Sequence, residues 1–298
     1  MMPDNCQDLL NHVFRSIGSI DQRLLGLENK CSQEELDCFL KDWDIEKSPI
    51  QSVIFLAQVM KSHPDLSFNA SLTPRLNGVL SYCRFKNLHI ETILNEVVNA
   101  LNNNNIGYEL IGDWAMKRLR PGFPRWINDI IILVGADDYN KAISIVSSIK
   151  SDTRIILHQS LDGGLSLEKL LFFSLLNIYD ILVSGQPLEA CVTTLSDIRY
   201  ISSLKEVLDT EIIWKEATFH GLEVEISIAS NVVSSTVSGL FPDKWPDYSL
   251  SSRIVKKRLI DFLFRRDVPN IIKKGTRRIP IPSFIKYLTW LLVSKLGL

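Results

Sequence analysis

The run Asp129-Ile-Ile-Ile-Leu-Val134 constrains the fold more than any other stretch of this 298-residue chain. Five consecutive branched apolar residues predict a β-strand that is buried on both faces, as in the middle of a sheet. Upstream, Ile106 to Ile111 predicts a short strand that stops at Gly112, with a helix starting behind the glycine. Downstream, Asp137-Asp138 are predicted to cap a helix, and Arg154 to Leu157 predicts a third strand. This order predicts a small sheet with helices packed on it.

The first ninety residues carry the start signals of helices. Ser32-Gln-Glu-Glu35 is a capping box with an apolar stripe behind it. Ser48-Pro49 and Thr73-Pro74 each place a cap residue before a proline, which suits the first helical turn. A further helix is predicted from Ile90 to Leu101, just before the first strand.

The region after the third strand also has helical periodicity. Leu165 to Val183 predicts a mostly apolar helix, and a second helix is predicted from about Leu188 to Leu208. Asp209 and Thr210 then provide a cap for a segment that contains Trp214. Helices therefore flank the predicted sheet on both sides in sequence.

Several motifs together resemble an uncharacterised bacterial family of the polymerase β-type nucleotidyltransferase superfamily. The family pattern reads LKG, then R-x-M-G-D-I-D-L-L-V, then a strand that ends in D-L-H. The corresponding stretches are Leu110-Ile-Gly112, Arg125 to Val134 and Ile156-Leu-His158. Two later motifs, at Asp197-Ile198 and from Trp214 to Leu222, agree with the same family.

The resemblance covers roughly residues 30–260 and implies an α+β fold. The expected architecture is a small mixed-sheet nucleotidyltransferase core flanked by helical N- and C-terminal regions. We divide the chain into a helical N-terminal region (1–88), a nucleotidyltransferase-like core (89–164), a helical domain (165–250) and a basic amphipathic C-terminal segment (251–298).

The resemblance also implies a metal site. Enzymes of this superfamily hold two Mg²⁺ ions with a D-x-D motif and a third carboxylate from a neighbouring strand. A strand places residues i and i+2 on one face, so the two motif carboxylates lie side by side. The three positions are Asp129, Ile131 and Ile156 in this chain. The resemblance thus assigns Asp129 as catalytic metal ligand, one of three expected carboxylates.

Gly112 is the expected phosphate-facing residue, because a helix N-terminus favours an anion through its free N–H groups and its dipole. The lysine that the family places before this glycine is Ile111 here. The residue after it is Asp113, whose charge would repel a triphosphate. Asp113 has two interpretations: it stabilises the first helical turn, or it is a relocated metal ligand that pairs with Asp129.

Arg120 and Arg125 flank a Pro-Gly-Phe-Pro loop that the family places over its active site. The resemblance makes both arginines candidate nucleotide-binding residues, since a guanidinium can clamp phosphate. They could instead pair with acidic groups of the protein. His158 lies at the family's histidine, at the end of a strand.

Two functions from different classes follow. The resemblance implies metal-dependent transfer of a nucleotidyl group from an NTP to a small-molecule, peptide or protein acceptor, with Mg²⁺ as cofactor. The missing carboxylates favour a non-catalytic descendant of the fold, a nucleotide-, peptide- or protein-binding accessory subunit.

The C-terminal segment concentrates positive charge. The whole chain has a net charge of -1, yet residues 253–298 hold twelve Lys or Arg and two Asp, a local net charge of +10. Six apolar side chains after Pro280 recur at helical spacing: Ile281, Phe284, Ile285, Leu288, Leu291 and Leu292. We expect this helix to pack on the acidic body; peripheral membrane contact is the next alternative, and nucleic acid is the least favoured.

The five cysteines, Cys6, Cys31, Cys38, Cys83 and Cys191, are scattered and form no CxxC. Together with the absence of a basic start and apolar core at the N-terminus, they predict a cytoplasmic protein with reduced thiols.

Overall fold

The computed structural model describes residues 24–28, 31–160, 164–183, 188–204 and 208–236. The predicted basic segment 251–298 lies outside these residues. In the part of the chain that the structure describes, none of the helices combines the length and apolarity needed to cross a membrane. The four cysteines in this part, Cys31, Cys38, Cys83 and Cys191, are all free thiols.

A three-stranded mixed sheet is built from β1 (Tyr108–Ile111), β2 (Asp129–Gly135) and β3 (Arg154–Ser160). β2 lies in the middle, antiparallel to β1 and parallel to β3. The three predicted strands and the α+β class are therefore confirmed. β3 continues three residues beyond the predicted end at Leu157.

Helices account for most of the remaining described residues. They are α1 (Gln33–Asp42), α2 (Ile50–Ser62), α3 (Leu72–Asn103), α4 (Asp113–Leu119), α5 (Tyr139–Ser147), α6 (Leu167–Val183), α7 (Val192–Ser203), α8 (Thr210–His220) and α9 (Glu223–Thr236). Short 3₁₀ turns, Ala136–Asp138 and Leu188–Cys191, precede α5 and α7.

Two of the predicted caps form as expected. The Ser32 Oγ accepts a hydrogen bond from the Glu35 backbone N–H (3.2 Å), and the Glu35 carboxylate accepts one from the Ser32 N–H (2.9 Å). Asp209 caps α8 by accepting from the Glu211 N–H at 2.9 Å. These bonds satisfy N–H groups that lack a partner inside the helix.

Three other cap predictions are wrong. Thr73 does not cap α3, because the helix already begins at Leu72. Asp138 precedes α5 but makes no capping bond, because its backbone is already helical, whereas a capping residue needs an extended backbone. Ser48 does not cap α2 either, since Pro49 is the residue that precedes the helix. The Ser48 hydroxyl donates instead to the Asp44 carbonyl at 2.8 Å.

The sheet is packed between two apolar clusters, so β2 is covered on both sides. Side chains of one face, such as Ile130 and Ile132, join a smaller cluster with the second half of α3 and with α5. The other face, with Leu133 fully and Ile131 partly buried, joins a larger cluster with α2, α6, α7 and α8. The helix predicted from Ile90 to Leu101 is the second half of α3, whose first half reaches the larger cluster through Leu76.

Gly112 provides a first test of this packing. Its backbone, at φ 64° and ψ -141°, is one that L residues rarely adopt, and an added Cβ would lie 3.2 Å from Ile131 Cδ1. We expect Gly112→Ala to lower the free energy of unfolding by about 1–3 kcal/mol, measured by urea denaturation. Gly107→Ala is the matched control, because a Cβ there meets nothing within 4 Å. Equal stability of the two variants would contradict the strain at Gly112.

Candidate functional site

The three positions that the resemblance assigns to carboxylates lie together on one face of the sheet. Ile131 on β2 and Ile156 on β3 are direct register partners, and Asp129 precedes Ile131 by two residues. Neighbouring strands are about 4.8 Å apart, so the three side chains form one contiguous patch. The Asp129 carboxylate is 29% exposed and lies 3.3 Å from the Arg154 guanidinium.

This patch does not fit Mg²⁺. The ion requires oxygen ligands in near-octahedral geometry, and an isoleucine side chain supplies none. Within the described ranges, no group of three His, Cys, Asp or Glu side chains is arranged to hold a metal ion. Arg154 already provides a positive charge to the single carboxylate, Asp129.

The glycine turn lies directly over the patch. Gly112 joins β1 to α4, and its Cα faces the end of the Ile131 side chain. Its carbonyl accepts the first helical hydrogen bond of α4, from the Met116 N–H at 3.0 Å. Gly112 is therefore part of the same surface as Ile131.

Arg125 is buried, and both its guanidinium and its backbone carbonyl make hydrogen bonds. Its guanidinium makes a two-pronged ion pair with Asp197 of α7, with Nη2 to Oδ1 at 2.6 Å and Nη1 to Oδ2. Its carbonyl accepts hydrogen bonds from the Cys83 thiol (2.6 Å) and the Asn87 amide (2.8 Å), both on α3. The Nε of this guanidinium has no hydrogen-bond partner among the described residues. Arg125 thus serves as a link between α3 and α7.

Arg120 lies in the same network. Its guanidinium donates to the Glu28 carboxylate (2.5 Å) and to the Ser196 hydroxyl (2.7 Å), and it covers the Phe123 ring with 4.1 Å to the ring centre. Arg120 and Arg125 therefore both form ion pairs with the protein's own carboxylates, which is the second of the two interpretations of these residues.

Asp113 lies beside this network and is partly exposed to solvent. Its carboxylate lies 3.7 Å from Arg125 Nη1, and 42% of the side chain remains exposed to solvent. Burial among the surrounding groups nevertheless raises the pKa of Asp113 to about 6; Arg125 opposes the rise, while Asp197 and Asp129 add to it. Asp113 is thus reached by solvent on one side and surrounded by protein on the other. We call the surface formed by Gly112, Asp113, Asp129, Ile131 and Ile156 the cleft.

His158 lies two residues beyond Ile156 on β3, close to α6 and α8. Its ring is 5.2 Å from Phe173 and 6.2 Å from His220, between ring centres. Burial and the neighbouring His220 lower the pKa of His158 to about 4. The ring is therefore neutral at physiological pH and contributes packing.

Sequence reasoning did not identify the partners of these residues. In the sequence, Asp197 was noted only as part of a family motif, and no pattern indicated a role for Glu28 or Arg154. The available clue was chemical: Asp197 lies close in α7 to the apolar Leu195, Ile198 and Ile201, and a buried carboxylate requires a buried partner. Arg125 is that partner.

Comparison of the chain with protein-family models, with curated proteins and with solved structures finds no match. The likeness to nucleotidyltransferases accordingly rests on the motifs and remains a prediction.

The raised pKa of Asp113 predicts a pH-dependent effect on stability. A carboxyl that titrates near 3.9 when unfolded and at about 6 when folded opposes folding once it is ionised. We therefore expect Asp113→Asn to melt at a higher temperature than wild type at pH 7.5, with the difference shrinking as the pH falls towards 4. The measurement is thermal unfolding across this range.

Asp137→Asn is the control, since this exposed acid lies outside the cleft. A lower melting temperature for Asp113→Asn at pH 7.5 would show that attraction to Arg125 outweighs burial.

Proposed function

We propose that this protein is a non-catalytic member of the nucleotidyltransferase-like group, an accessory or regulatory protein that binds a protein or peptide partner. The observation that supports it best is the register pairing of Ile131 with Ile156 beside Asp129. Two-metal catalysis of nucleotidyl transfer requires ligands for both ions, one aligning the attacking oxygen and one the triphosphate. Two isoleucines in those positions leave an apolar surface.

The state of Arg125 supports the same proposal. To clamp a phosphate, its guanidinium would have to leave Asp197, which is 4% exposed. Breaking a buried ion pair leaves an uncompensated charge and costs about 3–5 kcal/mol. The carboxylate of Asp113 adds negative charge beside Gly112, where a triphosphate would bind. The electrostatics of the cleft are therefore unfavourable for an NTP.

A second candidate function is the metal-dependent transfer that the resemblance implies. Gly112 has a positive φ and lies over one face of β2, and Asp129 occupies the first of the three expected carboxylate positions. Both features suit a nucleotide site, and they make a direct binding measurement necessary.

That measurement is a calorimetric titration with ATP, GTP, CTP and UTP at millimolar concentration, with and without Mg²⁺. We expect no binding that depends on Mg²⁺, because the isoleucines supply no ligands for it. Binding that is equal with and without the ion would make the cleft a nucleotide site without transfer chemistry. Mg²⁺-dependent binding followed by release of pyrophosphate would contradict the proposal and favour the enzyme.

Restoring the carboxylates tests the alignment with the family. We expect Ile131→Asp together with Ile156→Asp to create measurable Mg²⁺ binding, since the two positions are adjacent and share a face with Asp129. Aspartate is shorter than isoleucine, so it fits beneath Gly112. The readout is Mg²⁺ calorimetry on protein that circular dichroism shows to be folded.

The matched control adds Asp129→Asn to the double variant, which should abolish the new Mg²⁺ binding. A folded double variant with no affinity for Mg²⁺ would show that the strands do not correspond to those of the family.

A further inference from the structure

An apolar stripe runs along the exposed side of α3. It consists of Tyr82, Phe85 and Leu88, whose side-chain spacing of three residues places them on neighbouring parts of one helical surface. They are 59%, 72% and 57% exposed. Of the six large apolar residues that the structure describes as exposed, half fall within these seven positions, so this is a concentrated patch.

A groove continues the stripe. Its volume is about 490 Å³, and it lies between the loop before α2, α2 itself and the first half of α3. Its apolar walls come from Ile45, Ile50, Val53 and Val79, and Tyr82 lines it as well. Because Tyr82 belongs to both features, the groove and the α3 stripe form one continuous apolar surface.

The aromatic end of this surface is held in place. The Tyr82 ring packs on Trp126 with 5.5 Å between ring centres, and the Lys86 ammonium covers the Trp126 ring at 4.0 Å. A pre-positioned aromatic side chain loses little conformational entropy when a partner binds, which makes it an effective anchor.

Cations border the stripe on both sides. Helical geometry places Arg84 next to Leu88 on one edge and Lys86 next to Tyr82 on the other. The acids nearby already have partners: Glu46 pairs with Arg75, Glu91 with Lys117, Asp152 with His89 and Asp129 with Arg154. The exposed Glu96, eleven residues beyond Phe85, lies about 16 Å away along α3.

This charge pattern distinguishes the possible occupants. The chain's own segment 253–298 has a net charge of +10, and Arg84 and Lys86 would repel it. A second copy paired about an axis at Phe85 would bring these same two cations against themselves. Nucleic acid is disfavoured because residues 1–252 carry a net charge of -11 and the groove is lined mostly by apolar side chains, with Glu46 and Arg75 as its charged members.

We propose that the α3 stripe and its groove bind an acidic amphipathic helix of a partner protein. Apolar side chains of that helix, spaced i, i+3 or i+4 and i+7, enter the groove and cover Phe85, while its acidic residues meet Arg84 and Lys86. The surface lies outside the cleft around Gly112, so its occupant is independent of whether the cleft binds a nucleotide.

The test uses two fluorescein-labelled model helices with identical apolar positions, one flanked by Glu and one by Lys. Fluorescence anisotropy with the full chain should show binding of the Glu peptide and at least about ten-fold weaker binding of the Lys peptide. Phe85→Asp should weaken binding of the Glu peptide about ten-fold or more. Arg84→Glu with Lys86→Glu should reverse the preference between the peptides.

Ile143→Asp is the matched control, an exposed apolar position on α5 that should leave peptide binding unchanged. A photo-crosslinking residue at position 85 identifies the contact in the free protein. Equal affinity for both peptides, no binding of the Glu peptide, or a crosslink from position 85 to residues 253–298 or to a second copy would each overturn the proposal.

Discussion

The buried ion pair between Arg125 and Asp197 is the interaction on which the arrangement of the cleft depends. It joins the loop that precedes β2 to the helix α7, so it fixes the sheet against this helix. Two parallel N–H···O bonds define distance and orientation together, which a single contact cannot do. Since the guanidinium and the carboxylate are both removed from water, neither can be replaced alone without leaving a buried charge.

The pair also explains the character of the cleft. The Arg125 guanidinium interacts with two carboxylates. It makes short hydrogen bonds to Asp197, whereas the Asp113 carboxylate lies 3.7 Å away. The carboxylate that faces solvent is thus the less neutralised of the two. Beside it the sheet presents Ile131 and Ile156, so the cleft combines an apolar floor with a partly compensated acid. Such a surface favours apolar and cationic groups over phosphate.

Strands and helices could be predicted well because their signals are local. The Ile and Leu run of β2, the turn at Gly112 and the capping box at Ser32 each depend on residues that are close in sequence. The place of Ile131 on the same face as Asp129 was predictable from the period of two of a strand, whereas Ile156 was assigned to this face by the resemblance to the family.

The partners of the arginines could not be predicted, because Arg125 and Asp197 are seventy-two residues apart. Nothing in a sequence specifies which of several acids a guanidinium will reach across a fold. The cap at Asp138 failed for a related reason: residue type favoured it, but a preceding 3₁₀ turn gave Asp138 a helical backbone. The α3 stripe was likewise invisible, because apolar residues at helical spacing ordinarily indicate a core.

The length of α3 has a mechanical consequence. Its 32 residues form a rod of about 48 Å that is anchored in the larger cluster at one end and the smaller cluster at the other. Near its middle, one side exposes Phe85, and the other side holds the Arg125 carbonyl through Cys83 and Asn87. Because the helix is held at both ends, Phe85 keeps a fixed position relative to the Arg125 carbonyl. The outer side of α3 is therefore presented to a partner already formed, and binding there requires no rearrangement of the helix.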